Sequence, residues 1–182
     1  MTNTRKMVTI AILSAVAYLL MYFQFPLFTD FLQVDFSIVP VLIGLVIFDV
    51  KSSFLILLIR SILKLLFNGD PGSLIGMPLS IIGVGIFILV FAFFWKRKQT
   101  FKNYLIASTL STIGLVIAMV LLNYFYALPL YMTVFNMSAV DFGGIGYYIL
   151  YAVIPFNIVE GILFSLVFFL IHRAVGPILK KV

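Results

Sequence analysis

Arg60, Lys64 and Asn68 recur every four residues in IRSILKLLFNG, while Asn157 and Glu160 stand three apart in IPFNIVEG, just after Pro155. Residues four apart on a helix lie one above another, so the first set forms one polar stripe. The second pair shares a face, and Pro155 frees a backbone carbonyl one turn earlier for a neighbour or a ligand. Asn123, near the end of another apolar run, adds a further donor and acceptor. Guanidinium, ammonium, carboxyl and amide groups in this arrangement suit hydrogen-bonded recognition of a solute.

Catalysis finds no support in the remaining residues. There is no cysteine, which excludes a disulfide scaffold, thiolate metal sites and cysteine nucleophiles, and His172 is a lone histidine that cannot make a zinc site. No Gly-rich phosphate loop followed by lysine appears, nor an intramembrane His-Glu-x-x-His or paired catalytic aspartates. The Gly-Ile-Gly at Gly144–Gly146 does not form a nucleophile elbow. No catalytic residue, metal site or cofactor is therefore expected, and the protein is read as not an enzyme. The absence of a visible inverted repeat argues against a doubled, autonomous transporter.

These polar groups are set in an apolar chain. Its 182 residues are 64% hydrophobic and 10% charged, with mean hydropathy +1.24, more than one soluble core can hide. The expected class is an all-α integral membrane protein, a single six-helix membrane domain over residues 1–182. A hydrocarbon layer of about 30 Å needs roughly 20 helical residues. Spans are predicted at Met7–Phe25, Phe36–Val50, Ser52–Phe67, Met77–Trp95, Asn103–Tyr126 and Gly146–Ile171, the second and third being short. The apolar runs are continuous and lack period-two alternation, which favours helices over a barrel. The first run has no small-residue cleavage site before Pro26 and reads as a retained helix rather than a signal peptide.

Charge sets the orientation. Arg5, Lys6, Lys51, Lys96, Arg97, Lys98, Lys102, Arg173, Lys180 and Lys181 all fall on one side if there are six spans, and the opposite loops hold Asp30, Asp35, Asp70 and Asp141. The positive-inside rule makes the basic side, with both termini, cytoplasmic. The net charge of +6 is thus a topology signal, and the short basic cluster beside Trp95 gives no nucleic-acid partner. On the acidic side, Leu27–Asp35 is a short loop able to fold over the bundle. Asn68–Gly76 is dense in turn formers, and Ala127–Gly146 is too apolar for a free solvent loop.

A central charge costs about 2.5–3.5 kcal/mol on insertion scales, so the Arg60 stripe does not face lipid cheaply. An architectural reading is available: Lys64 snorkels, Arg60 finds an internal ion pair, and membrane asparagines bond neighbouring helices for about 0.6 kcal/mol. A polar pocket is the other reading, with the stripe as its positive wall and Asn123, Asn157 and Glu160 opposite. The ligand-like loops on the same side favour the pocket. Ala11 and Ala15, spaced by four on the first helix, form a small face that lets another helix approach closely, either inside the bundle or outside it.

Over essentially its whole length the chain resembles the substrate-binding S components of energy-coupling factor (ECF) vitamin transporters, and among them the riboflavin-specific members. The resemblance is carried by RKMVTIAILSAVAYLL, VDFSIVPVL, LLFNGDPG and, most specifically, IPFNIVEG. Two positions depart from the family pattern: a lysine is common where this chain has Glu160, and an Asn in a small-residue run is usual where GMPLSIIG stands. The resemblance implies an S-component bundle in the cell membrane that takes up riboflavin. Its pocket would draw on Asp35 and Phe36, on Lys64, Asn68 and Gly69, on Met77 and Ser80, on Asn123 and Tyr124, and on Pro155, Asn157 and Glu160. It also implies a transmembrane scaffold subunit and two cytoplasmic ATPases as partners, with Ala11 and Ala15 docking on the scaffold. Thiamine or biotin is the alternative ligand; a cationic thiamine fits poorly beside Arg60 and Lys64. A ligand-free structural membrane protein is the alternative of another class.

Overall fold

A computed structural model describes residues 3–97 and 99–179; Lys98, Lys180 and Lys181, assigned above to the basic side, lie outside the described residues. The order is α1 (Asn3–Leu20), β1 (Gln24–Leu27), β2 (Thr29–Asp35), α2 (Ile38–Ile47), α3 (Val50–Phe67), α4 (Pro71–Trp95) and α5 (Phe101–Leu122). There follow α6 (Leu128–Val134), α7 (Ile145–Tyr148) and α8 (Ile154–Leu179). The all-α expectation is corrected at Leu27–Asp35: β1 and β2 pair antiparallel into a hairpin, with Phe28 at φ 67° in its tight turn. Main-chain pairing satisfies the backbone of a segment that covers one end of the bundle, which a bare loop would leave open.

Among the described residues three stretches, Pro71–Trp95, Phe101–Val134 and Ala139–Gly176, are long and apolar enough to cross a membrane. α1 and α3 have 18 residues each, about 27 Å at 1.5 Å per residue. α2 has 10 residues, about 15 Å. So short a helix is held because Val41 and Leu42 are fully buried by its neighbours.

Several boundaries move for identifiable reasons. Asp49 caps α3, its carboxylate accepting from the Ser52 amide at 2.8 Å, so Val50 and Lys51 belong to α3 and not to a preceding span or loop. Lys6 donates to the same carboxylate at 2.7 Å, tying the start of α1 to the α2–α3 junction. Asp70 caps α4, with the Ser73 amide at 2.9 Å and Pro71 in the first turn, so the predicted loop Asn68–Gly76 shrinks to Asn68–Asp70. Ser73 hydrogen bonds hold the Asp70 carboxyl below its usual range.

The predicted third loop is mostly helical. α5 widens into a π-helical turn at Asn123–Ala127 and continues as α6. Another π turn, Ile149–Val153, joins α7 to α8. Both widened turns end two residues before a proline, Pro129 and Pro155. Proline clashes with the carbonyl four residues earlier and offers it no N–H, and a π turn relieves both defects without breaking the helix. Between α6 and α7, Gly143 at φ 70° and Gly144 at φ 96° reverse the chain where a side chain would be strained.

The core away from the hairpin is aromatic. Phe91 and Phe168 lie 4.3 Å apart by centroid and Phe87 and Phe164 5.2 Å, fastening α4 to α8, with Trp95 edge-on to His172 at the far end. α5 reaches α8 through Gly161, where an added Cβ would sit 2.5 Å from the Thr112 hydroxyl oxygen. Gly161→Ala is expected to cost about 1–3 kcal/mol through overpacking. Thermal unfolding of the purified variant in detergent checks this, and an unchanged midpoint would mean that Thr112 turns aside freely.

Candidate functional site

A cavity of about 350 Å³ lies under the hairpin, within the roughly 300–1,000 Å³ typical of small-molecule sites. Its walls are helical stripes of period four. α3 and its C-cap contribute Arg60, Lys64 and Asn68; α5 and the π turn after it contribute Leu115, Met119 and Asn123; α8 contributes Phe156, Glu160 and Phe164. Met77, Ser80 and Gly83 of α4 complete the ring, and Phe31, Leu32, Gln33 and Asp35 of β2 close it from above.

Arg60 organises the polar side. It is 2% exposed, its Nη1 lies 3.9 Å from an Asp35 carboxylate oxygen, and its Nη2 donates to the Ser80 hydroxyl at 3.2 Å. Three elements are thereby joined: β2 through Asp35, α3 through Arg60 and α4 through Ser80. The same Asp35 oxygen accepts from the Ser37 amide at 2.7 Å and from the Ser37 hydroxyl, which fixes the turn from the hairpin into α2. Glu160 reaches Arg60 electrostatically from α8, and Lys64 feels both Asp35 and Asp70. The stripe is therefore not a purely positive wall; each cation faces carboxyl groups. Arg60 Nε has no hydrogen-bond partner although buried, which leaves a charged donor for something placed in the cavity.

The apolar side comes from residues the sequence reading did not single out. Phe31 of the hairpin packs at a tilt against Tyr131 of α6, with ring centroids 4.7 Å apart, and against Phe142 at 5.7 Å. Phe142 in turn meets Tyr148 edge-on at 5.1 Å. Phe31, Tyr131, Tyr148, Phe156 and Phe164 all line the cavity, so a flat aromatic ligand would find faces and edges to pack on. The signal in the sequence was the aromatic content of Leu27–Asp35 and Ala127–Gly146, but nothing there says which rings turn inward.

Of the residues singled out beforehand, Asp35, Lys64, Asn68, Met77, Ser80, Asn123 and Glu160 are brought together on the lining. Phe36 is 51% exposed and packs edge-on to Phe25 at 5.8 Å; Tyr124 is 52% exposed beside Phe125. Gly69 sits in the exposed turn before α4. Pro155 and Asn157 lie behind the lining. Asn157 is fully buried and donates to the Val153 carbonyl at 2.7 Å, as Asn123 does to the Met119 carbonyl at 2.8 Å, so both amides brace their own helices. Ala11 and Ala15 are exposed on α1, on the side away from the buried Ile10, Ser14 and Ala17.

Comparison with known proteins places this arrangement. A family model described as the substrate-specific component of ECF transporters matches residues 5–172. The chain is 54% identical to "Riboflavin transporter RibU" of Streptococcus thermophilus, covering 100% of this chain and 87% of the relative. It is 32% identical to the protein of the same name in Staphylococcus aureus, over 100% and 96% of the two chains. "Riboflavin transporter FmnP" of Bacillus subtilis is 29% identical, over 98% and 96%. A solved structure of the S component of a bacterial ECF transporter is similar with TM-score 0.79 at 30% identity, covering 98% of this chain and 99% of that one.

Proposed function

Because the chain belongs to the substrate-specific components of ECF transporters, we propose that the cavity beneath the hairpin is its riboflavin site. The protein is the substrate-binding subunit of riboflavin uptake. The observation that carries the assignment of the site is the pairing of aromatic faces with a charged, hydrogen-bonding wall around one cavity of flavin size. The isoalloxazine ring takes the Phe31, Tyr131 and Phe156 side, and the ring's polar edge and the ribityl hydroxyls take the Arg60, Ser80, Asn123 and Glu160 side.

The chain crosses the cell membrane six times, α2 with the hairpin forming one crossing, and both termini are cytoplasmic. The basic ends of the helices support this orientation. Natural absence of cysteine makes single-cysteine labelling from either side a clean test. A transmembrane scaffold subunit and two ATPases supply the energy, with the exposed Ala11 and Ala15 face meeting the scaffold.

Riboflavin is expected to bind the purified protein without ATP or partners. Burying about 400 Å² of apolar flavin surface at roughly 25 cal/mol/Å² gives an upper figure near 10 kcal/mol before ordering costs. A sub-micromolar dissociation constant should follow, read as quenched flavin fluorescence and as yellow absorbance that co-purifies. Binding weaker than about 100 μM would sink the flavin reading, and thiamine or biotin binding at that strength would replace it.

A further inference from the structure

The end of the bundle away from the cavity carries four cations that the candidate site does not use. Lys96 and Arg97 follow α4, Lys102 stands in the first turn of α5 and Arg173 near the end of α8, all of them exposed. One aromatic cluster joins these helices: Trp95 meets Tyr104 edge-on at 6.4 Å, and Tyr104 packs at a tilt on Phe169 at 5.4 Å. Each cation stands within four residues of one of these rings, so all four surround one corner.

Both arginines are seated alike. Arg97 lies four residues beyond Phe93 and Arg173 four beyond Phe169, and each guanidinium rests over that ring, 4.3 Å and 5.9 Å from the centroids. A ring contact takes up the face of a guanidinium and leaves its edge, the in-plane fork of N–H donors that fits a phosphate bidentately. No carboxylate competes for that fork. Of the chain's six acidic residues, Asp49 is held by Lys6 at 2.7 Å, Asp35, Asp70 and Glu160 line the cavity, and Asp30 and Asp141 lie in the hairpin and before α7. Among the described residues none of the four cations has an ion-pair partner.

We propose that this corner binds the headgroup phosphate of an anionic phospholipid. The rings beside the cations select a lipid as the occupant: Phe93 is 56% exposed and Phe101 66%, an apolar wall for an acyl chain directly next to the phosphate donors. A free phosphate or an acidic protein would meet the cations and make no use of that wall. The basic end faces the leaflet whose anionic lipids attract lysine and arginine. The inference stands whatever the cavity binds.

Trp95 is the chain's one tryptophan and lies at this corner, so it reports which lipids gather there. The test reconstitutes the full-length protein in phosphatidylcholine bilayers containing a fixed fraction of brominated lipid, whose acyl-chain bromines quench tryptophan on contact. Brominated phosphatidylglycerol is expected to quench Trp95 about twofold more than brominated phosphatidylcholine at the same fraction. Arg97→Gln combined with Arg173→Gln should remove most of that excess, and Lys51→Gln, on α3 at the same end, should leave it. Either arginine changed alone gives the reading, at about half the loss, should the double variant fold poorly. Equal quenching by the two lipids overturns the proposal, as does an excess that survives the double change or falls as far with Lys51→Gln. Inorganic phosphate that abolishes the excess at matched ionic strength would overturn the lipid as the occupant.

Discussion

Arg60→Leu is expected to lower stability by about 3 kcal/mol or more and to weaken flavin binding at least tenfold. Removing one member of a buried charge cluster costs about 3–5 kcal/mol, chiefly because the partners are left behind uncompensated. Here the abandoned groups are Asp35, whose carboxylate lies 3.9 Å from the guanidinium, and Glu160, which lines the same cavity. Asp35 keeps some water, its side chain being 18% exposed, which argues for the lower end of that range. Ser80 would also lose its donor, and α3 one of its ties to α4. Thermal unfolding in detergent, with and without riboflavin, measures both effects. The triple change Arg60→Leu, Asp35→Asn, Glu160→Gln should recover much of the stability but not the affinity. If the single variant unfolds like the wild type, Arg60 is not the charge that holds the hairpin to the bundle.

The helix ends that the sequence marked well are those with one unambiguous signal. Phe67 and Trp95 close α3 and α4 as expected, one followed by Asn-Gly and the other by Lys96 and Arg97. Where one residue type carries two meanings the reading slipped. Asp70-Pro71 served as a turn signal, yet aspartate before proline is equally an N-cap with its first helical residue, and the Ser73 amide decides for the cap. The hairpin was hidden because its alternation is confined to Leu32–Asp35, a stretch of four residues too short to announce a strand inside an apolar chain.

The lining of the candidate site was legible in its polar members and not in its angular detail. α8 presents Phe156, Glu160 and Phe164, so Asn157, about 100° further round, points elsewhere although it stands three residues from Glu160. Tyr124 misses the cavity for the same reason, one step on from Asn123 at the start of a widened turn. Composition shows that a polar stripe must find company; only the tertiary arrangement shows which of two neighbouring stripes faces the cavity.

Replacing Ala11 and Ala15 together by leucine is expected to abolish riboflavin uptake while leaving flavin affinity within about twofold. Both alanines are exposed and one helical turn apart, whereas the face of α1 that packs on this chain carries Ile10, Ser14 and Ala17. Ser14 returns its hydroxyl to the Ile10 carbonyl at 2.8 Å and so offers nothing outward; among the described residues the alanine face is left exposed. In lipid, helices associate mainly through van der Waals contact, and small residues let two backbones come close enough for it. Leucine at both positions would hold a partner helix off by the width of a side chain. Neither alanine lines the cavity, so binding has no reason to change. Uptake by cells, co-purification with the scaffold and ATPases, and flavin titration of the isolated subunit separate the cases. Loss of the first two with retained binding is the expected pattern. A double variant that assembles normally yet loses flavin would instead place these alanines in the packing of the bundle, and the docking face would have to lie on another helix.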